Sequence, residues 1–130
     1  MKVLVDSSFL FLPINCKIDI VREAEHVVRN RVEFIFIDPV YFEIENVVKM
    51  SKHNLKKKVK FAFEVLNAYK RVNINRKENE SVDDCLARAA ENMKYIVATA
   101  DMELRKKLRE KKIPVIYPRG GNHLVVEGFS

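Results

Sequence analysis

The sequence predicts an α/β fold, a three-layer α/β/α sandwich around a mainly parallel sheet of about five strands. Short apolar, β-branched runs alternate with longer stretches of helical periodicity along all 130 residues. Such alternation implies right-handed crossovers, which place helices on both faces of a parallel sheet. The hydrophobic fraction of 48% is enough for one core, so we expect residues 1–130 to form a single domain.

The first elements are a strand, a helix and a second strand. Val3–Val5 is a β-branched run that ends at a carboxylate, which is typical of a buried strand. Residues 19–30 place apolar side chains three or four positions apart, as one face of a helix does. Residues 34–37 are again apolar and β-branched, and they predict the neighbouring strand.

Two helices and a short strand are predicted next. Asp38 and Pro39 are typical of an N-cap followed by proline at the first helical position. This helix is expected to run to about Met50, and renewed helical spacing from Asn54 predicts another one. Residues 72–74 are an alternating run that predicts a third strand.

The C-terminal part continues the alternation. Residues 81–92 begin with a serine cap and predict a helix, and residues 95–98 predict a buried strand. Residues 102–111 carry leucines at four-residue spacing and predict a helix. Two further strands are predicted at 113–117 and 124–126.

The charge balance favours a polyanionic partner. The chain has 24 Lys and Arg against 18 Asp and Glu, a net charge of +6, so nucleic acid is the first expectation. No apolar run approaches the roughly 18 residues that a membrane span requires, and the N-terminal apolar run is too short for a signal-peptide core. We therefore expect a cytoplasmic protein without membrane contact.

The cysteines and histidines do not form a zinc pattern. Cys16 and Cys85 are far apart in sequence, and the three histidines are scattered. A structural zinc site needs about four clustered ligands, and a disulfide framework needs paired cysteines. The sequence therefore predicts neither kind of site, and we expect two buried, reduced thiols.

Acidic residues concentrate where a parallel sheet binds ligands. Asp6 and Asp101 follow predicted strands, and Asp83 and Asp84 lie in the first turn of a predicted helix. In open α/β sheets, ligands bind outside the carboxyl ends of the strands. Two further acids follow the second strand on the next helix, namely Glu43 and Glu45.

Each acid also has an ordinary structural interpretation. Asp6 and Asp101 are suited to capping helices, and Ser81 with Asp84 forms a capping-box pattern. Both glutamates are compatible with solvated positions at the edge of an apolar stripe. Capping does not explain why several acids are predicted at one edge of one sheet.

Carboxylates brought within a few ångströms of one another repel strongly unless protons or cations neutralise them. Hard cations with oxygen ligands suit such a site, so Mg²⁺ or Mn²⁺ is expected. One such metal generates a nucleophilic hydroxide, and a second stabilises the leaving oxygen of a phosphodiester. An acidic site on a basic protein is therefore the combination that a nuclease needs.

Four sequence segments, taken in order, resemble the PIN-domain nuclease family. The resemblance spans most of the chain and is most specific from Ser81 to Gly121. There it is similar to the PIN branch involved in small-subunit ribosomal RNA processing, and toxin ribonucleases of the VapC type are more distant. The segments are Val3–Ser8, Val40–Glu45, Asp83–Ala87 and Tyr95–Asp101.

The resemblance implies a PIN-like fold and a metal-dependent endoribonuclease that acts on RNA, including precursor ribosomal RNA. It places the metal-binding acids, which are also the catalytic acids, on Asp6, Glu43, Asp84 and Asp101. Thr99 takes the place of a small polar residue that orients a metal-bound water. Glu45 is the alternative to Glu43, and Asp83 is the alternative to Asp84.

The sequence departs from the family pattern at a few positions. Ser7 and Ser8 stand where many members have Asn after the first acid, and Ala100 replaces a residue that is often polar. These differences leave the four acids intact. They bear on how tightly a second metal is held, and the number of metals stays open.

Some of these sequence features also suit proteins other than a nuclease of ribosomal RNA processing. The same basic surface would serve an RNA-binding assembly factor that is weakly catalytic or non-catalytic. A VapC-type toxin would use the same acids. A phosphoacceptor domain needs a lysine after a late strand, where this chain has Pro118 and Arg119. Aromatic residues lie mostly in apolar segments, so we expect RNA contacts through the backbone rather than base stacking. A homodimer and a protein regulator are compatible with the sequence, which decides neither.

Overall fold

The computed structural model describes residues 1–16, 18–50 and 56–129. The strands of the described residues form one sheet with the spatial order β3-β2-β1-β4-β5-β6. The strands are β1 (Lys2–Val5), β2 (Glu33–Ile37), β3 (Lys70–Val72), β4 (Ile96–Ala98), β5 (Val115–Arg119) and β6 (His123–Glu127). This arrangement confirms the predicted α/β class, with six strands where about five were expected.

The sheet is parallel from β3 to β5, and β6 pairs with β5 in the antiparallel direction. The chain proceeds outward from β1 through β2 to β3, and then returns to β4 on the other side of β1. The strand order therefore reverses between β1 and β4. Such a reversal opens a crevice at the carboxyl ends of the two strands, where ligands bind in folds of this kind.

The helices are placed by the direction of each crossover. Right-handed connections put the helices between β1 and β3 on one face and the later helices on the other. Accordingly, α4 packs against α5, and α6 packs against α7. The helices are α1 (Ser7–Leu10), α2 (Leu12–Asn15), α3 (Ile20–Val28), α4 (Asp38–Met50), α5 (Lys56–Ala68), α6 (Val82–Met93) and α7 (Met102–Glu110).

The central strands are buried on both faces, as their continuous apolar runs indicate. Val3, Leu4 and Val5 of β1 are fully buried, and so are Val97 and Ala98 of β4. The buried centre of the sheet therefore lies directly beneath the switch point.

No helix within the described ranges is long and apolar enough to cross a membrane.

Several local predictions were wrong. The third strand lies at Lys70–Val72 instead of 72–74, because its charged residues suit an edge strand and hide its pattern. Helix α4 begins at Asp38 itself, whose buried carboxylate pairs with Arg71 rather than capping from outside the helix. The predicted start of α5 at Asn54 lies outside the described residues.

Both cysteines are free thiols, as expected, but only Cys85 is buried and Cys16 is partly exposed. The segment Arg119–Gly121 belongs to the hairpin between β5 and β6. Gly120 and Gly121 have φ values of 72° and 82°, which residues with side chains rarely adopt. The two glycines therefore permit the tight turn that joins β5 to β6.

The loop between β3 and α6 is fastened to α6 by one arginine. Arg88 donates two hydrogen bonds to the Glu80 carboxylate, both 2.9 Å, and one of 3.0 Å to the carbonyl of Asn75. These bonds from Arg88 lower the pKa of Glu80 from 4.5 to about 2. The loop is therefore held at both Asn75 and Glu80.

We expect the stabilising effect of Glu80 to depend on acid pH. A carboxyl whose pKa is lower in the folded protein stabilises the fold above its unfolded pKa, and this effect is lost as the pH falls through its folded pKa. The difference in unfolding free energy between the parent and Glu80→Gln should therefore shrink between pH 4.5 and about 2. Urea titrations across this range measure it, and a constant difference would contradict the role of the ion pair.

Candidate active site

The first candidate acid lies at the carboxyl end of β1 and is almost fully buried. Asp6 is 7% exposed and is the N-cap of α1, where its Oδ1 accepts a hydrogen bond of 2.9 Å from the Phe9 amide. The Ser8 hydroxyl lies 2.8 and 2.9 Å from the two carboxylate oxygens, and the Thr99 hydroxyl donates to Oδ2 at 2.6 Å. Three neighbouring donors thus fix the Asp6 side chain.

The same hydroxyl groups connect the ends of β1 and β4. Ser8 Oγ accepts a hydrogen bond of 3.0 Å from the Ala100 amide. The Thr99 hydroxyl, which is completely buried, accepts one of 3.0 Å from the Asp101 amide. The family departure at Ser8 therefore places a hydroxyl between the two strand ends, a role that the sequence did not reveal.

Asp101 caps the helix that follows β4. Its Oδ1 accepts hydrogen bonds from the amides of Glu103, at 2.8 Å, and Leu104, at 3.3 Å. The residue is exposed to solvent. The capping interpretation of Asp6 and Asp101 is therefore correct, and it does not remove them from the crevice.

The structure distinguishes the two glutamates of α4. The Ser7 hydroxyl donates a hydrogen bond of 3.2 Å to Glu43 Oε1, which links α4 to the residue after Asp6. Glu45 instead forms an ion pair of 3.5 Å with Lys49, one turn further along the helix. Of the two, Glu43 is the one beside Asp6.

The two aspartates at the start of α6 also differ. The Ser81 hydroxyl accepts a hydrogen bond of 3.0 Å from the Asp84 amide, as the capping pattern predicts. The Asp84 carboxylate is half exposed and lies 3.5 Å from Lys107 Nζ of α7. Asp83 is more buried in this structure, and the other candidate acids act on it electrostatically.

Electrostatic coupling joins four of the acids. Burial raises the pKa of Asp6, and the charge of Asp101 raises it further against the opposing hydrogen bonds. Burial likewise raises the pKa of Glu43, with smaller contributions from Asp6 and Asp83. For Asp83, burial raises the pKa first, Asp101 adds to it, and Asp84 adds a smaller contribution. These four carboxylates therefore share one electrostatic environment.

The acids do not meet as closely as the sequence led us to expect. In the part of the chain that the structure describes, no three Asp, Glu, His or Cys side chains are close enough to hold an ion together. Three of the carboxylates instead have local hydrogen-bond partners, namely Ser8 and Thr99 for Asp6, Ser7 for Glu43 and helix amides for Asp101. Like charges separate where such local partners are available.

Substitution of Thr99 tests this hydrogen-bonded junction. We expect Thr99→Val to lower the free energy of unfolding by about 1–3 kcal/mol, because it leaves a buried carboxylate and the Asp101 amide short of a partner. Thr99→Ser retains the hydroxyl and serves as the control. Urea denaturation compares the two variants, and equal stability would show that the hydroxyl does not hold the junction.

Comparison with known proteins identifies the family. The model of a family described as "PIN like domain" matches residues 3–121, which is most of the chain. The chain belongs to the PIN-like domain family. A curated relative is Ribonuclease VapC4 of Methanocaldococcus jannaschii, which is 31% identical over 130 residues. The match covers 98% of this chain and 98% of that protein. The PIN resemblance seen in the sequence is thereby confirmed.

Solved structures show the same PIN-like fold. The PIN domain endonuclease Utp24 matches with a TM-score of 0.77 at 22% identity, covering 97% of this chain and 90% of that one. A domain of a functionally unknown protein from Methanocaldococcus jannaschii matches with a TM-score of 0.65 at 15% identity, covering 92% and 91%. At these identities, the matches establish the PIN-like fold alone.

Proposed function

We propose that this PIN-like protein is a divalent-metal-dependent endoribonuclease that hydrolyses RNA phosphodiester bonds. The observation that carries the proposal is that Asp6 and Asp101 follow the two strands at the switch point of the sheet. Glu43 is linked to the same strand end through Ser7, and Asp83 lies near enough for the charge of Asp101 to act on it. Like charges gathered at one edge of a sheet repel one another and do not stabilise the fold by themselves. A bound cation would explain their position at a ligand-binding edge.

The donor set fits Mg²⁺ or Mn²⁺, which prefer carboxylate oxygens. An ionised carboxylate has about four lone-pair positions, and Asp6 accepts from three donor groups, so it retains capacity for a metal. We assign metal binding to Asp6, Glu43, Asp101 and the acidic pair at the start of α6. A bound cation would act as a Lewis acid on the phosphate and lower the pKa of an attacking water.

The residues of the chain itself position this chemistry. Ser8 and Thr99 orient the Asp6 carboxylate, and Ser7 orients Glu43. The single proton of the Thr99 hydroxyl is donated to Asp6, so we assign Thr99 a positioning role in place of the water-orienting role that the resemblance implied. Lys107, next to Asp84, provides a positive charge for substrate phosphate at the edge of the site.

The substrate class rests on charge and on relatives. The net charge of +6 favours a nucleic acid, and the relative at 31% identity is named a ribonuclease. Precursor ribosomal RNA processing and a VapC-type toxin role are both compatible with this chemistry in a cytoplasmic protein. We propose RNA cleavage as the shared activity.

The test is cleavage of labelled RNA by the purified protein in EDTA, Mg²⁺ or Mn²⁺. We expect cutting only with metal, together with a rise in the unfolding temperature on metal addition, because a ligand that binds the native state stabilises it. Binding without cleavage under every metal would contradict the proposal and favour an RNA-binding assembly factor. The unfolding temperature reports metal binding independently of activity.

The acidic pair at the start of α6 provides a matched comparison. We expect Asp83→Asn to reduce the cleavage rate more than Asp84→Asn, since Asp83 is the member coupled to Glu43 and Asp101. The two variants change the same charge in adjacent positions of one helix. Measured rates at saturating Mn²⁺ decide between them, and the reverse order would return the ligand role to Asp84, as the family resemblance implied.

A further inference from the structure

A groove of about 660 Å³ opens beside the candidate acids, between α4 and the loop that precedes α6. Its volume lies in the range of small-molecule sites. Glu43 lines this groove and accepts a hydrogen bond from Ser7, the residue after Asp6, so the groove adjoins the candidate acids. A chain molecule bound at the acids would therefore have this groove beside it.

The wall on α4 presents an exposed aromatic ring. Phe42 is 49% exposed, and its side chain lines the groove. The Arg71 guanidinium lies over the ring, 5.5 Å from its centroid, and Tyr41 contacts it edge to face with centroids 5.9 Å apart. The exposed part of the ring is available for stacking.

The opposite wall is polar and is held in place by Arg88. Asn75, Arg76 and Asn79 line this side, and Arg88 anchors the loop through Asn75 and Glu80. Amide groups donate and accept hydrogen bonds, as the edges of nucleobases do. Arg76 contributes a positive charge near Glu43, where a phosphate would neutralise it.

We propose that this groove, which we call the base groove, binds an unpaired nucleobase of single-stranded RNA next to the bond that is cut. The base stacks on Phe42, the amides of the loop contact its edge, and Arg76 contacts the adjacent phosphate. A base within a duplex has both faces covered and cannot enter the groove. The inference rests on the proposed ribonuclease function and assigns the place where a base next to the cut bond is held.

The experiment measures binding of a short single-stranded RNA and of the same strand with abasic residues, both in EDTA. The two strands carry equal phosphate charge, so their affinity ratio isolates the bases. Base–aromatic stacking makes the intact strand bind about fivefold tighter or more in the parent protein. We expect Phe42→Ala to bring this ratio close to one and Phe42→Trp to retain it.

Val47→Ala is the matched control, because Val47 is a similarly exposed apolar residue of α4 that does not line the groove. Its ratio should equal that of the parent. Binding to a blunt duplex of the same strand should be equal in the parent and in Phe42→Ala. A ratio in Phe42→Ala as large as in the parent, or a parent that does not bind the intact strand, would overturn the inference.

Cleavage of the intact strand with Mn²⁺ separates this inference from the proposed function. If the parent cuts RNA and the affinity ratio is unchanged in Phe42→Ala, the base groove is wrong and the ribonuclease stands. If the parent never cuts but Phe42→Ala abolishes base-dependent binding, the groove stands and the ribonuclease function is wrong.

Discussion

Asp6→Asn is expected to reduce metal-dependent RNA cleavage by about 100-fold or more, since even residues that only support metal ligands contribute 10- to 100-fold. The substitution removes the negative charge at the centre of the coupled acids. It retains an oxygen for the Phe9 amide, so α1 keeps its cap. Single-turnover cleavage at saturating Mn²⁺ measures the effect, and circular dichroism verifies the fold.

Glu45→Gln is the control for this experiment. It neutralises an acid of α4 that is paired with Lys49 and lies away from the coupled group. Its cleavage rate should remain within about twofold of the parent, because a single exposed ion pair contributes little to stability. If Asp6→Asn cuts as fast as Glu45→Gln, the candidate active site is wrong, whatever the family of the chain.

Leu104→Ala is expected to lower the free energy of unfolding by about 2–5 kcal/mol, the usual effect of removing a fully buried leucine. Leu104 has no exposed surface and fixes α7, which packs against β5 and α6, to the core. The Leu104 amide also donates to Asp101. The substitution therefore loosens the helix that holds one candidate ligand, and denaturant unfolding measures the loss.

The comparison variant lies two residues earlier on the same helix. Met102 is 60% exposed, so Met102→Ala should change the free energy of unfolding by less than about 0.5 kcal/mol. Similar losses in both variants would indicate that α7 contributes little to the packed core. Cleavage by Leu104→Ala at low temperature, where it stays folded, shows how far the position of Asp101 depends on this packing.

The sequence alone determined the class of fold and most element positions. Strands β1, β2 and β4 are continuous apolar runs, and the Ser81 cap marks the start of α6. These signals are local, because burial on both faces of a sheet and capping of a helix require particular residues at particular spacings. The four family segments also contain the acids of the candidate site.

Tertiary structure decided how those acids relate to one another. It distinguished Glu43 from Glu45, joined Asp83 to the coupled group and placed the Ser8 and Thr99 hydroxyls between two strand ends. It also exposed Phe42, whereas the sequence led us to expect aromatic residues within apolar segments and no surface for base stacking. The direction of a side chain depends on partners that are distant in sequence, such as residues 8 and 99, and no local pattern contains that information.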